Sequence, residues 1–210
     1  MFQNPCKIED PIPEIPGLKY VTDFNSVELM IKAYSNGYFP WNNEDEPVMW
    51  YAPDPRFVLY PNELRLNKSN RKAIRENKLS FTFNTRFEDV LHLCQNIARK
   101  GQDGSWITEE LFEILIELNQ KGIAQSVEAW QEEKLVGGFY GINLEMQKVF
   151  CGESMFSLIP GASKMAFIWF CQNIAINNYR IIDCQQETPH MKSLGAKHIP
   201  LSQFVTYLGL

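Results

Sequence analysis

Three stretches with a two-residue period, Ala124 to Trp130, Lys134 to Ile142 and Val149 to Met155, follow one another across short polar turns. This run narrows the possible folds more than any other feature. Strands joined by a turn as short as Gln131 to Glu133 pair as an antiparallel hairpin, and the third stretch can add to it. The period then changes. Ala162 to Asn177 has helical spacing, Arg180 to Cys184 reads as a strand again, and a helical turn is expected around His190 before a short strand and helix. Hairpin strands succeeded by helix, strand, helix and strand predict an α+β domain with a mixed central sheet.

Two of these strands carry groups that a sheet core does not need. Phe150-Cys-Gly-Glu-Ser-Met-Phe-Ser157 and Ile181-Ile-Asp-Cys-Gln185 set isolated acidic or amide side chains among apolar neighbours. Burying such groups costs free energy unless they are paired or used. Glu153, Asp183 and Gln185 are therefore the first candidates for chemistry.

Upstream, Pro11 to Pro16 is proline-punctuated and reads as an irregular segment. Ser26 to Tyr34 predicts a short helix capped by Ser26 and ending near Gly37. Tyr38-Phe-Pro-Trp41, an acidic loop at Glu44 to Glu46 and Met49-Trp-Tyr-Ala-Pro-Asp-Pro-Arg56 predict a rigid non-helical connection, because proline holds the residue before it extended. Taken alone, its aromatics read as core filler between two subdomains, with a ligand platform as the alternative. A boundary at Asp54 divides the chain into a small domain, 1–54, and a larger one, 55–210.

In the larger part, Lys68, Arg71, Lys72 and Arg75 fall on one helical face, which can hold phosphates or simply face water, with Glu76 interrupting the run. Phe81-Thr-Phe reads as a strand and Glu88 to Lys100 as a helix ending at Gly101. A second helix, Thr108 to Gln120, has Glu109 and Glu110 at its positive end and closes at Gly122.

At 210 residues the chain can bury a substantial core. It contains no long apolar run of membrane-spanning length, so no membrane partner is expected. Five cysteines without a Cys-x-x-Cys pair suggest neither a disulfide framework nor a zinc site, and fit a reducing cytoplasm. The three histidines lie far from other ligands at metal spacing; no metal or cofactor is expected. A net charge of −5 argues against indiscriminate nucleic-acid binding and leaves room for a local basic patch.

Several ordered motifs coincide: Gly37-Tyr-Phe-Pro-Trp41, Trp50-Tyr-Ala-Pro-Asp-Pro-Arg56, Ser105-Trp-Ile-Thr108, Leu135-Val-Gly-Gly-Phe-Tyr-Gly141, Gly152-Glu-Ser-Met-Phe-Ser157, Ala162-Ser-Lys164, Ile182-Asp-Cys-Gln185 and His190-Met-Lys-Ser-Leu-Gly-Ala196. Across roughly residues 26 to 205 the chain resembles the bacterial leucyl/phenylalanyl-tRNA–protein transferases. The resemblance implies a monomeric cytoplasmic enzyme that moves Leu or Phe, with Met a further candidate, from aminoacyl-tRNA onto proteins with an N-terminal Arg or Lys, marking them for degradation. It also implies that the larger domain is N-acetyltransferase-like (GNAT-like), with the small N-terminal domain packed on it.

By the same resemblance, Asp183 and Gln185 form the catalytic strand, with Glu153 orienting Gln185 or holding the cationic acceptor. Trp41 and Trp106, with Tyr34 nearby, match the aromatic hold on the tRNA 3′ adenine. Phe139, Phe170 and Ile182 match the aminoacyl side-chain pocket. Lys68, Arg71, Lys72 and Arg75 match the basic patch for the acceptor stem. His190 reads as a structural hydrogen-bonding residue near the site. Two rival readings are a CoA-dependent N-acetyltransferase, which needs a glycine-rich phosphate loop where Ser157 to Ser163 stands, and a non-catalytic tRNA or N-terminal-residue binding module.

Overall fold

The computed structural model describes residues 6–7, 17–23, 25–41, 46–76, 78–97 and 105–210. The segment Pro11 to Pro16, the loop residues Glu44 and Asp45, and Lys100 and Gly101 fall outside the described residues.

Four strands near the N-terminus, β1 (Cys6–Lys7), β2 (Leu18–Thr22), β3 (Phe39–Pro40) and β4 (Val48–Tyr51), form an antiparallel sheet in the order β1-β2-β4-β3. Helix α1 (Val27–Ser35) starts where expected, with the Ser26 hydroxyl accepting the Leu29 N–H at 3.1 Å. The stretch expected as an irregular connection instead supplies β3 and β4. Pro40 is compatible with a strand here because β3 lies at the sheet edge, where a missing N–H is tolerated.

The larger sheet is built from β5 (Arg56–Leu59), β6 (Ser80–Phe83), β7 (Ala124–Gln131), β8 (Lys134–Leu144), β9 (Val149–Ser157), β10 (Ile181–Gln185) and β11 (Lys197–Ile199). Its order is β11-β5-β10-β9-β8-β7-β6, and β9 with β10 is the parallel pair in an otherwise antiparallel sheet. The mixed sheet and the α+β class expected from the strand and helix periods are both present.

Around it run α2 (Lys68–Glu76), α3 (Phe87–Asn96), α4 (Glu109–Gln120), α5 (Ala162–Phe170), α6 (Ile176–Asn178), α7 (Pro189–Ser193) and α8 (Leu201–Leu208). The long helix expected over 162–177 is α5 and α6 joined by a π-helical turn, Cys171–Ala175. Helix α3 stops short of the expected Lys100. The Asn96 amide takes the His92 carbonyl at 2.9 Å, and Ile97 turns extended to pack on the core.

The core lies on the two sheet faces. One cluster joins α1, α3 and α4 to Tyr140, Ile142, Cys151 and Phe156, and crosses the Asp54 boundary through Met30, Tyr34, Trp50 and Val58. The other sets α5 and α7 against Val127, Phe139, Phe150 and Ile182. Gly137 allows β8 to approach α5, since a Cβ there would stand 2.4 Å from that of Ala162. Gly37, at φ 82°, turns the chain beneath α8, where a Cβ would meet Leu208 at 3.3 Å.

Candidate active site

Strands β9 and β10 are hydrogen-bonded as far as Asp183 opposite Cys151, and each is irregular just beyond that pair. In β9 the pairing with β8 steps from Tyr140↔Ser154 to Gly141↔Gly152, leaving Glu153 as the extra residue. In β10 the pairing with β5 steps from Asp183↔Val58 to Gln185↔Phe57, leaving Cys184 extra. Such bulges bend a strand and re-aim its side chains. The two bulges bring Gln185 Nε2 to donate to Glu153 Oε1 at 2.7 Å. Gln185 pays for this aim with a left-handed backbone, φ 61°, a conformation that costs a non-glycine residue about 1–3 kcal/mol.

Asp183 lies beneath Gln185 and is fully buried. Its Oδ1 accepts the Gln185 N–H at 2.9 Å and Arg56 Nε at 2.8 Å, while its Oδ2 accepts Arg56 Nη2 at 2.6 Å. The guanidinium lies 4.8 Å from the ring centres of both Phe39 and Phe204. Of the three sequence candidates, Asp183 is thus enclosed by protein donors, whereas Gln185 and Glu153 retain partial exposure.

Glu153 keeps a narrow window to water, yet crowding pushes its carboxyl up from 4.5 to about 8. Burial is the main cause and the Asp183 charge adds to it, while Tyr34, Arg56 and Gln185 oppose it. Tyr34 is buried beside this carboxylate, its hydroxyl without proper hydrogen-bond geometry to any partner among the described residues. Burial first, then Glu153, raises its hydroxyl well above the ordinary tyrosine range. Cys151 is displaced upward for the same reasons, burial and then Asp183.

The remaining expected residues fall into separate groups. Trp41 is 45% exposed beside Tyr51, two residues past Phe39, while Trp106 is half-buried against the cluster that holds Tyr34. Phe139 and Phe170 meet edge to face at 5.4 Å, and with Ile182 they belong to one fully buried cluster. Half-buried Met155, paired with Phe139, and Phe83, stacked on Phe170 at 6.1 Å, lie at its rim. Lys68, Arg71, Lys72 and Arg75 are all exposed on α2, with Lys72 approaching Glu76 at 3.9 Å.

His190 departs from expectation. Its Nε2 is buried with no hydrogen-bond partner among the described residues, and burial together with Lys164 lowers its pKa. At the start of α5 the Ser157 hydroxyl accepts the Ser163 N–H at 2.9 Å, so a side chain already occupies an amide that a CoA pyrophosphate would need. Among the described residues no His, Cys, Asp and Glu cluster could hold a metal, and no helix is long and apolar enough to cross a membrane.

The residue that sequence reasoning passed over is Arg56. The available signal was a lone cation opening the apolar run Phe57-Val-Leu-Tyr60, which needs a counter-charge once buried.

Comparison with known proteins matches residues 58–209 to the leucyl/phenylalanyl-tRNA protein transferase family and residues 26–54 to the N-terminal domain of that family. A leucyl/phenylalanyl-tRNA–protein transferase of Christiangramia forsetii is 46% identical over 209 residues, covering 99% of each chain. One from Flavobacterium johnsoniae is 48% identical over 181 residues, 86% of this chain and 84% of that one. Among solved structures, a conserved Bacteroides thetaiotaomicron protein of unknown function shares the fold at TM-score 0.50 and 16% identity, covering 74% of this chain and 55% of that one. With residues 26–54 and 58–209 matched and a 46% identical relative covered nearly end to end, the chain belongs to the leucyl/phenylalanyl-tRNA–protein transferase family.

Proposed function

We propose that this protein transfers Leu or Phe, with Met as a further donor, from aminoacyl-tRNA to the N-terminal Arg or Lys of proteins destined for degradation. In this reading it works in the cytoplasm as a monomer divided at Asp54 into domains 1–54 and 55–210. The observation that carries the reading is the Gln185 to Glu153 hydrogen bond formed by two bulged strands, in a chain of this family.

The reaction needs little from the enzyme. An aminoacyl ester is already activated, and an α-amine with a pKa of about 7.7–8.0 keeps a useful neutral fraction near pH 7. The amine nitrogen attacks the ester carbonyl, the C–N bond forms, the C–O bond to the ribose breaks, and the amine's proton ends on the released ribose hydroxyl. Because the Gln185 amide N–H is committed to Glu153, its carbonyl oxygen is the acceptor left to align the incoming amine. Glu153 orients that amide, and an approaching cationic acceptor favours ionisation of its carboxyl, otherwise held up at about 8, so that the resulting charge holds the acceptor. Asp183, enclosed as it is, acts through Gln185.

Trp41 and Trp106 hold the terminal adenine, where stacking is worth about 1–3 kcal/mol per base, with Tyr34 beside them. Phe139, Phe170 and Ile182 form the floor of the donor side-chain pocket, reached when Met155 and Phe83 at the rim shift. Such a floor separates aliphatic side chains by only about 1–3 kcal/mol per methylene, so Leu, Phe and Met are all accepted. Lys68, Arg71, Lys72 and Arg75 follow the acceptor-stem phosphates.

The test is to incubate purified protein with labelled Leu-tRNA and peptides beginning Arg, Lys, Asp or Ala. Transfer confined to the first two is expected, and Gln185→Ala should slow it about 10²- to 10⁴-fold with tRNA binding preserved. Tight tRNA binding without transfer would leave a binding module instead.

A further inference from the structure

We infer that Arg56 is a positioning residue for transfer, acting through Asp183 to hold the Gln185 amide in line. This rests on the aminoacyl-transfer reading above. Arg56 is the first residue of β5, 1% exposed, and it meets Asp183, 0% exposed, through two parallel hydrogen bonds of 2.8 and 2.6 Å. A buried ion pair is seldom a net gain in stability, since replacing it with apolar groups is often neutral or better. What a bidentate pair supplies is direction, because the guanidinium fork fixes both carboxylate oxygens in one plane.

That direction is used at once. The Asp183 Oδ1 that receives Arg56 Nε also receives the Gln185 N–H at 2.9 Å, and Gln185 sits at φ 61° with Cys184 bulged out before it. A left-handed, non-glycine residue persists only where its surroundings over-determine it. Here they are a carboxylate that cannot rotate, held by a guanidinium that cannot rotate. The rings of Phe39 and Phe204, each 4.8 Å from the guanidinium carbon, restrict the planes open to it. Lysine at 56 would keep the charge and lose the fork. The Gln185 side chain would then drift from its 2.7 Å contact with Glu153.

The experiment measures single-turnover transfer from Leu-tRNA to an Arg-peptide, together with Leu-tRNA affinity, for wild type, Arg56→Lys and Arg56→Ala, counting folded molecules only. Both variants should lose about ten- to hundredfold in rate, the scale of one or two charge-assisted hydrogen bonds, with tRNA affinity within about twofold of wild type. Methylguanidine at millimolar concentration should restore the rate of Arg56→Ala and leave Arg56→Lys slow. A folded variant with the wild-type rate, a loss confined to tRNA affinity, or no response of folded Arg56→Ala to methylguanidine would overturn the inference. If Arg56→Ala does not fold, Arg56→Lys decides by its rate alone. Absence of transfer by the wild type would instead remove the functional reading itself.

Discussion

A lone acid in an apolar strand is a readable signal, and this chain carries it more than once with different outcomes. Glu128 in β7 is fully buried yet accepts hydrogen bonds from the hydroxyls of Ser126, Thr82 and Thr85 and from the backbone of Thr85 and Arg86. That carboxylate ties β6 and β7 to the start of α3 and is fully satisfied. Glu153 accepts the Gln185 amide at 2.7 Å, sits against the buried Tyr34 hydroxyl, and has a carboxyl pushed up to about 8. The sequence makes Glu153, Asp183 and Gln185 visible as polar groups in apolar strands, but it cannot show which acid the surrounding hydroxyls will satisfy, or that Asp183 will be sealed behind Arg56. The raised carboxyl of Glu153 has a measurable consequence. The folded state keeps its proton up to about 8, while the unfolded chain loses it near 4.5. The folded protein therefore binds more protons across that window, and this group subtracts stability progressively as pH rises through it. Glu153→Gln should flatten the decline in melting temperature between those two pH values, and an undiminished slope in a pH series of thermal melts would count against the assignment.

Among the elements, hairpins and capped helices were legible because their signals are local. The Gln131 to Glu133 turn, the Ser26 and Thr108 caps and the period of β7, β8 and β9 all appear where residue patterns place them. Strands β3 and β4 were hidden because their residues are prolines and aromatics, and they become strands only by pairing with each other and with β2. The two bulges were less legible: Gly152 inside β9 is a local hint of a register shift, whereas Asp183-Cys-Gln carries none. Helix α2 stayed ambiguous between a phosphate rail and a solvated face, and its exposed cations allow either. Binding measured against salt resolves it. Lys68→Glu with Arg75→Glu should weaken tRNA binding and lower the salt slope by about one per contact removed, whichever amino acid the tRNA carries.

For the whole molecule, the boundary at Asp54 marks a change of sheet that the core ignores, since one apolar cluster runs through both sheets. The two parts are also bound by the end of the described chain. The Asp54 carboxylate accepts the Leu201 N–H at 3.0 Å at the start of α8, and α8 packs over Gly37 and brings Phe204 onto Arg56. Gly37→Val would force a branched residue to φ 82° against Leu208, and should cost about 1–3 kcal/mol in chemical denaturation, with a parallel loss of transfer. Wild-type stability in that variant would mean that α8 docks more loosely than the contact implies.

The covering role of Phe204 also sets an order of birth. Domains fold as units during synthesis, and a domain whose core includes Phe204 and Leu208 closes only once α8 is free to dock. Until then the guanidinium of Arg56 lacks one of the two rings that lie against it. The centre built on Arg56 would thus be finished late, when α8 docks and Phe204 covers it.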